Sequence, residues 1–272
     1  MRIVVYAWFG WLMSVAAFAE APDPRPDMHV LAGEISALQK YMLTDAEFSA
    51  PANEAAIRKS LSSIESHLAH LGKGSFSEDP VLKVNLELLQ QHIKDATRTF
   101  NENGKPFARY MIQSSLQLCI ACHTRKKAAD FAWPEVEAKD IPAIDKADYY
   151  FATRQFTKGV AVYESIVSGY PGNKAGQSNL KKALLALAVY YARVAEDPAG
   201  GAKYFAKAAE LPELSQYLRE EMGAWAKEFA QWEKEKPAKG DKATESQLLA
   251  RAKKLLKNDD FSLVSHLDRS FH

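Results

Sequence analysis

The stretch "LQLCIACHTRKK", residues 116–127, holds both cysteines of a 272-residue chain. Cys119 and Cys122 stand three positions apart, and His123 follows directly. On a helix that spacing puts both side chains on one face. Each thiol can then add its S–H across one vinyl group of a porphyrin. Two thioether bonds form, and the imidazole beside the second cysteine is presented to the iron. This is the attachment pattern for c-type haem. For this composition, two cysteines at that spacing with a histidine behind them arise by chance on the order of once in five thousand placements.

Three other chemistries use paired cysteines. A disulfide between Cys119 and Cys122 would close a very short loop within a helix and leave His123 without a role. A thioredoxin-like redox pair needs a preceding strand, and none is readable. Zinc needs two more ligands close by, whereas the other histidines are dispersed along the chain. One covalently attached haem c therefore becomes the expected cofactor, held by Cys119 and Cys122 with His123 on the iron.

The amino terminus fits this expectation. Arg2 precedes the apolar run "IVVYAWFGWLMSVAAFA", which ends in Ala17-Phe18-Ala19. Charge, apolar core and small-residue exit are the parts of a signal peptide over residues 1–19. The alternative is an uncleaved membrane anchor, for which the run is a little short, and no second run approaches its length; after cleavage the mature chain is expected in the periplasm or otherwise exported, with no transmembrane segment. Covalent haem is attached outside the cytoplasm. With Arg2 removed, 34 basic residues face 34 acidic ones, which leaves no electrostatic footprint for nucleic acid.

Helical periodicity dominates the rest, and the fold class is all-α. Met28, Leu31, Ile35, Leu38 and Met42 share one helix face, followed by an interruption at "SAPANEA", residues 49–55. Ile57, Leu61, Ile64, Leu68 and Leu71 form the next face and stop at Gly72. Asp79 and Pro80 are placed to open a third helix, through Leu82, Leu86, Leu89, Ile93, Ala96 and Phe100 to Asn103-Gly104. A fourth starts at Pro106 and runs through Phe107, Met111 and Leu118 into the cysteines. Four helices with short connections over residues 27–128 favour an antiparallel four-helix bundle. The proline-rich "EAPDPRP", residues 20–26, leads in. A linker follows over 129–143.

A haem attachment site late in the fourth helix, rather than near the start of the mature chain, resembles the cytochrome c-prime class and its low-spin four-helix relatives. The resemblance covers about residues 27–128. It implies basic residues after the histidine that pair with haem propionates, and Arg125 and Lys126 stand there. Low-spin members place a methionine ligand early in helix one, so the resemblance implies Met28 as the sixth ligand. Met42 lies 14 residues further along, about 21 Å on a continuous helix, too far for the same iron. Met111, about 18 Å before His123 on its own helix, is also too far. His67 and His70, near the end of helix two, and His29, toward the polar side of helix one, are the histidine alternatives. His92, His266 and His272 read as surface residues. Relatives are often dimers, which makes a homodimer one expectation.

Residues 144–272 are helical with a different pattern. Ala147, Tyr150, Phe156, Gly159, Tyr163, Ile166 and Pro171 resemble the small, aromatic and proline positions of a tetratricopeptide repeat, with Gly159 and Ile166 where alanine is usual. A weaker copy falls on Ala188, Tyr191, Ala202, Ala206 and Ala209, with "EDPAGG", residues 196–201, read as an insertion. Trp225 and Trp232 read as packing residues. The chain stops at "SLVSHLDRSFH" in mid-pattern, as a piece of a longer array would.

One haem, no second cofactor motif and no clustered acid–base or nucleophile set point away from an enzyme. Three functions remain. The first is a low-spin His/Met electron carrier whose helical array docks a redox partner protein. The second is a five-coordinate haem protein that binds a gas or senses redox state, in which Met28 is ordinary core. The third is a protein-binding scaffold in which the haem only stabilises the bundle.

Overall fold

A computed structural model describes residues 23–72, 80–125, 141–172 and 176–235. Every regular element among them is helical: α1 (Arg25–Gln39), α2 (Asp45–Ser49), α3 (Pro51–Leu71), α4 (Pro80–Asn101), α5 (Lys105–His123), α6 (Ala143–Ala152), α7 (Phe156–Ser168), α8 (Gln177–Val189), α9 (Pro198–Ala209) and α10 (Gln216–Glu235). A π-turn, Tyr190–Val194, extends α8. Among the described residues no helix is long and apolar enough to cross a membrane. The signal-peptide reading, Asp79, Lys126, most of the linker and everything past residue 235 lie outside the described residues.

The first half packs in chain order, α1 on α3, α3 on α4 and α4 on α5. Polar links fix the directions. Asp27 at the start of α1 accepts hydrogen bonds from His67 and His70 at the end of α3 (2.7 and 2.6 Å), so those two helices run antiparallel. Arg58 near the start of α3 reaches Asn101 at the end of α4. His92 of α4 binds the Met111 carbonyl (2.7 Å) and the Ser114 hydroxyl (3.0 Å) of α5. The expectation of a surface His92 is thereby corrected, because this half-buried ring ties two helices together.

Local chemistry moves some boundaries. The lead-in is shorter than expected, since α1 begins at Arg25 with Pro26 in its first turn, where the missing N–H costs nothing. The same helix ends before Met42, which is nevertheless buried (4 % exposed). Arg109 of α5 holds that loop, donating to the Met42 and Leu43 carbonyls (2.8 and 3.3 Å) and to Asp45 (2.9 Å). Helix α2 escapes the periodicity because it has only five residues. Thr44 caps it by accepting from the Glu47 amide (3.1 Å), and Phe48 plugs the core edge-on against Phe100 (5.3 Å). Complete burial of such a ring contributes about 1.5–3 kcal/mol.

Two apolar clusters form. One joins Leu38, Phe48, Ile57, Leu61, Ile93 and Ile112 of the first half. The other joins Phe151, Tyr163, Leu184, Phe205, Trp225 and Phe229 of the second half, and Ile120 of α5 packs against it. Trp225 meets Phe205 edge-on (5.2 Å) and Trp232 stacks on Phe229 (6.0 Å), both as packing residues. "EDPAGG" is not an inserted loop. Asp197 caps α9, and Pro198 through Gly201 are its first turn.

Gly159 has a steric reason. A Cβ there would come within 2.7 Å of Cε2 of Phe151 and 3.3 Å of Tyr150 Cβ. Phe151 is fully buried and held edge-on against Tyr163 (4.9 Å) and Phe156 (5.3 Å), so the ring has nowhere to go. Gly159→Ala is expected to lower stability by about 1–3 kcal/mol through overpacking, despite alanine's better helix propensity. A urea midpoint equal to that of the parent would refute this.

Candidate functional site

The cysteine face of α5 borders a cavity of about 420 Å³. Helix α1 contributes Met28, His29, Leu31 and Ile35. The end of α3 brings Leu68 and Leu71, the start of α4 brings Leu82, Leu86 and Leu89, and α5 brings Leu118, Cys119, Cys122 and His123. Ala152, Thr153 and Arg154 close it from the second half. Cys119, Cys122, His123 and Met28, adjacent to it in no sequence sense, thus share one cavity. Its size lies in the range of cofactor pockets, and its wall is mostly apolar with a few convergent polar groups, the usual composition of such sites.

Met28 owes its place to the residue before it. Asp27 is buried (7 % exposed) and holds α1 to the end of α3 through both histidines. Burial alone would raise its pKa, but the hydrogen bonds from His67 and His70 outweigh it and hold the carboxyl below its usual value. His67 and His70 are committed to this carboxylate, and neither lines the cavity. The remaining histidine on the α1 side is His29, which is exposed at the rim.

His123 ends α5, and its Nδ1 lies 2.5 Å from the carbonyl oxygen of Ala152. A carbonyl can only accept, so Nδ1 carries the proton and donates. Burial, with the charge of Arg154 second, lowers the imidazole pKa to about 4, the Ala152 hydrogen bond opposing. The ring is therefore neutral near pH 7, and its Nε2 lone pair is available to a metal. No disulfide joins Cys119 and Cys122. Burial, and next the neighbouring Cys122, push the Cys119 thiol up to about 12. A catalytic redox pair needs the opposite shift, toward thiolate. Cys119 and His123 retain partial surface although protein atoms surround them, as expected of residues that face a cavity. Among the described residues, no three His, Cys, Asp or Glu side chains converge to hold a metal ion, so the zinc reading has no ligand set there.

Arg125 does not line the cavity. It lies toward the second half, where its charge, after the larger effect of burial, helps lower the Arg193 pKa to about 10. Sequence reasoning missed two contributors, the Ala152 carbonyl and Arg154. The first is backbone and carries no side-chain signature. The second sits at the end of α6, where the Gln155 amide bonds the Tyr150 carbonyl (2.8 Å) and the Arg154 amide bonds the Phe151 carbonyl (3.1 Å). That pair of bonds is a Schellman helix end, whose left-handed residue is usually glycine. Arg154 occupies it with φ 58°, at a cost of about 1–2 kcal/mol.

No protein-family model, no curated protein and no solved structure matches this chain.

Proposed function

We propose that this chain is an exported monohaem c-type cytochrome that carries electrons. In this reading α1, α3, α4 and α5 form the four-helix haem bundle, and α6–α10 form a tetratricopeptide-like array that docks a redox partner protein. Cys119 and Cys122 hold haem c by thioether bonds, His123 is the proximal ligand and Met28 the sixth. The observation that carries this reading is the convergence of a Cys-x-x-Cys-His segment and a methionine thioether on one apolar cavity.

The donor set suits the group. Two thiols on one helix face match two vinyl positions, and a neutral imidazole with its proton fixed on Nδ1 offers Nε2 to iron. When bound, haem supplies a one-electron couple. The Ala152 carbonyl orients the His123 ring and raises its basicity as a ligand. The Met28 thioether, soft and uncharged, favours the reduced state. Leucine and isoleucine walls keep water from the centre, which limits reorganisation when charge changes.

Absorption spectra of the holoprotein beside Met28→Ala test the ligand set. A low-spin ferric parent and a high-spin variant are expected. An unchanged spin state in Met28→Ala would remove Met28 and point to His29. A high-spin parent that takes up carbon monoxide without losing a ligand would favour the gas-binding reading.

A further inference from the structure

Three side chains in the cavity wall can carry positive charge besides His123: Arg25, His29 and Arg154. Arg25 is neutralised at the exposed rim, its Nε donating to both oxygens of Asp23 (2.9 and 2.7 Å). His29 is exposed and makes contacts of its own. Arg154 is different. It is half-buried, and no described carboxylate pairs with it. Burial lowers its pKa, with only the Cys122 side chain acting in the other direction. It is also the one residue of the wall held in the left-handed region, at a helix end that glycine would close without strain. A guanidinium with no carboxylate partner among the described residues, kept at that cost against an apolar wall, calls for an anion.

We propose that Arg154 is a carboxylate-binding residue of this pocket, which takes a propionate of the haem attached at Cys119 and Cys122. The second half of the chain is then part of the redox site as well as a docking module. The inference rests on the covalent-haem reading. A guanidinium presents a planar fork that matches both oxygens of a carboxylate, which an ammonium cannot. Loss of Arg154 leaves that negative charge uncompensated beside the iron, and the oxidised, more positive state gains.

The test compares the holoprotein with Arg154→Gln, Arg154→Lys and Arg154→Gly, reading midpoint potential, covalent haem content and melting temperature. In the glutamine and glycine variants the one-electron equilibrium is expected to move about tenfold toward the oxidised form, a fall of about 59 mV. Lysine keeps part of the potential. Glycine melts no lower than the parent, because it relieves the backbone, so a fall in its potential reports charge and not unfolding. Haem-loaded variants whose potentials all equal that of the parent would overturn the role of Arg154 and leave the haem reading standing. A parent chain without covalent haem would overturn both.

Discussion

Chains that carry Cys119→Ser and Cys122→Ser together are expected to lose all covalently held haem. A serine hydroxyl does not add to a porphyrin vinyl group, while its volume is close to that of the thiol. The cavity, the α5 helix and the His123–Ala152 hydrogen bond therefore persist, and only the bond to the cofactor is lost. A denaturing gel stained for haem peroxidase activity is the direct measurement. The parent gives a haem band at the mass of the polypeptide, each single variant retains haem through one thioether, and the double variant gives no band. A band that survives in the double variant, or a parent that never shows one, refutes the attachment.

The second large effect is on stability, at a place that joins the cysteine helix to the second half. Asp148 of α6 is almost completely buried (2 % exposed). It accepts from the Tyr163 hydroxyl (2.5 Å) and the Gln117 amide (3.1 Å) and pairs with Lys182. Burial outweighs these partners and raises its carboxyl pKa. Asp148→Ala leaves a fully buried tyrosine hydroxyl and a lysine without their acceptor. Breaking a buried pair costs about 3–5 kcal/mol. The Lys182 side chain is 41 % exposed and can reach water, so about 2–4 kcal/mol is expected here. Asp148→Asn keeps an acceptor for Tyr163 and should lose less than half as much. Thermal denaturation of the two variants decides it, and equal melting points would show that the hydrogen bonds contribute nothing.

The legible parts of this chain were those whose signal is local. Four helix faces stand in the sequence at steps of three and four, Gly72 and Asn103-Gly104 mark two ends, and the spacing of Cys119, Cys122 and His123 puts them together at the end of α5. Met28 could be placed on the apolar face of α1 for the same reason. The rest depended on long-range or backbone partners. Helix α2 is too short to show a period, and only the Phe100 ring explains why Phe48 folds inward. Asp27 reads as an acidic residue in a first turn until His67 and His70 arrive some 40 positions later. The acceptor for His123 is a main-chain oxygen 29 residues downstream, and any residue type could supply it. Arg154 follows two positions after, at a left-handed helix end that glycine usually fills, and nothing in the sequence marks it.

Helix α5 belongs to two cores. Ile112 packs with the first half, while Ile120, two turns on, packs with the second. A helix shared in this way makes a poor hinge, and it also limits how such a chain can be shuffled in evolution. Exchange of everything after α5 for another module would strip apolar cover from the cysteine helix and remove the oxygen that steers His123. The two halves thus share α5 as a common wall, and neither could be exchanged without repacking the other.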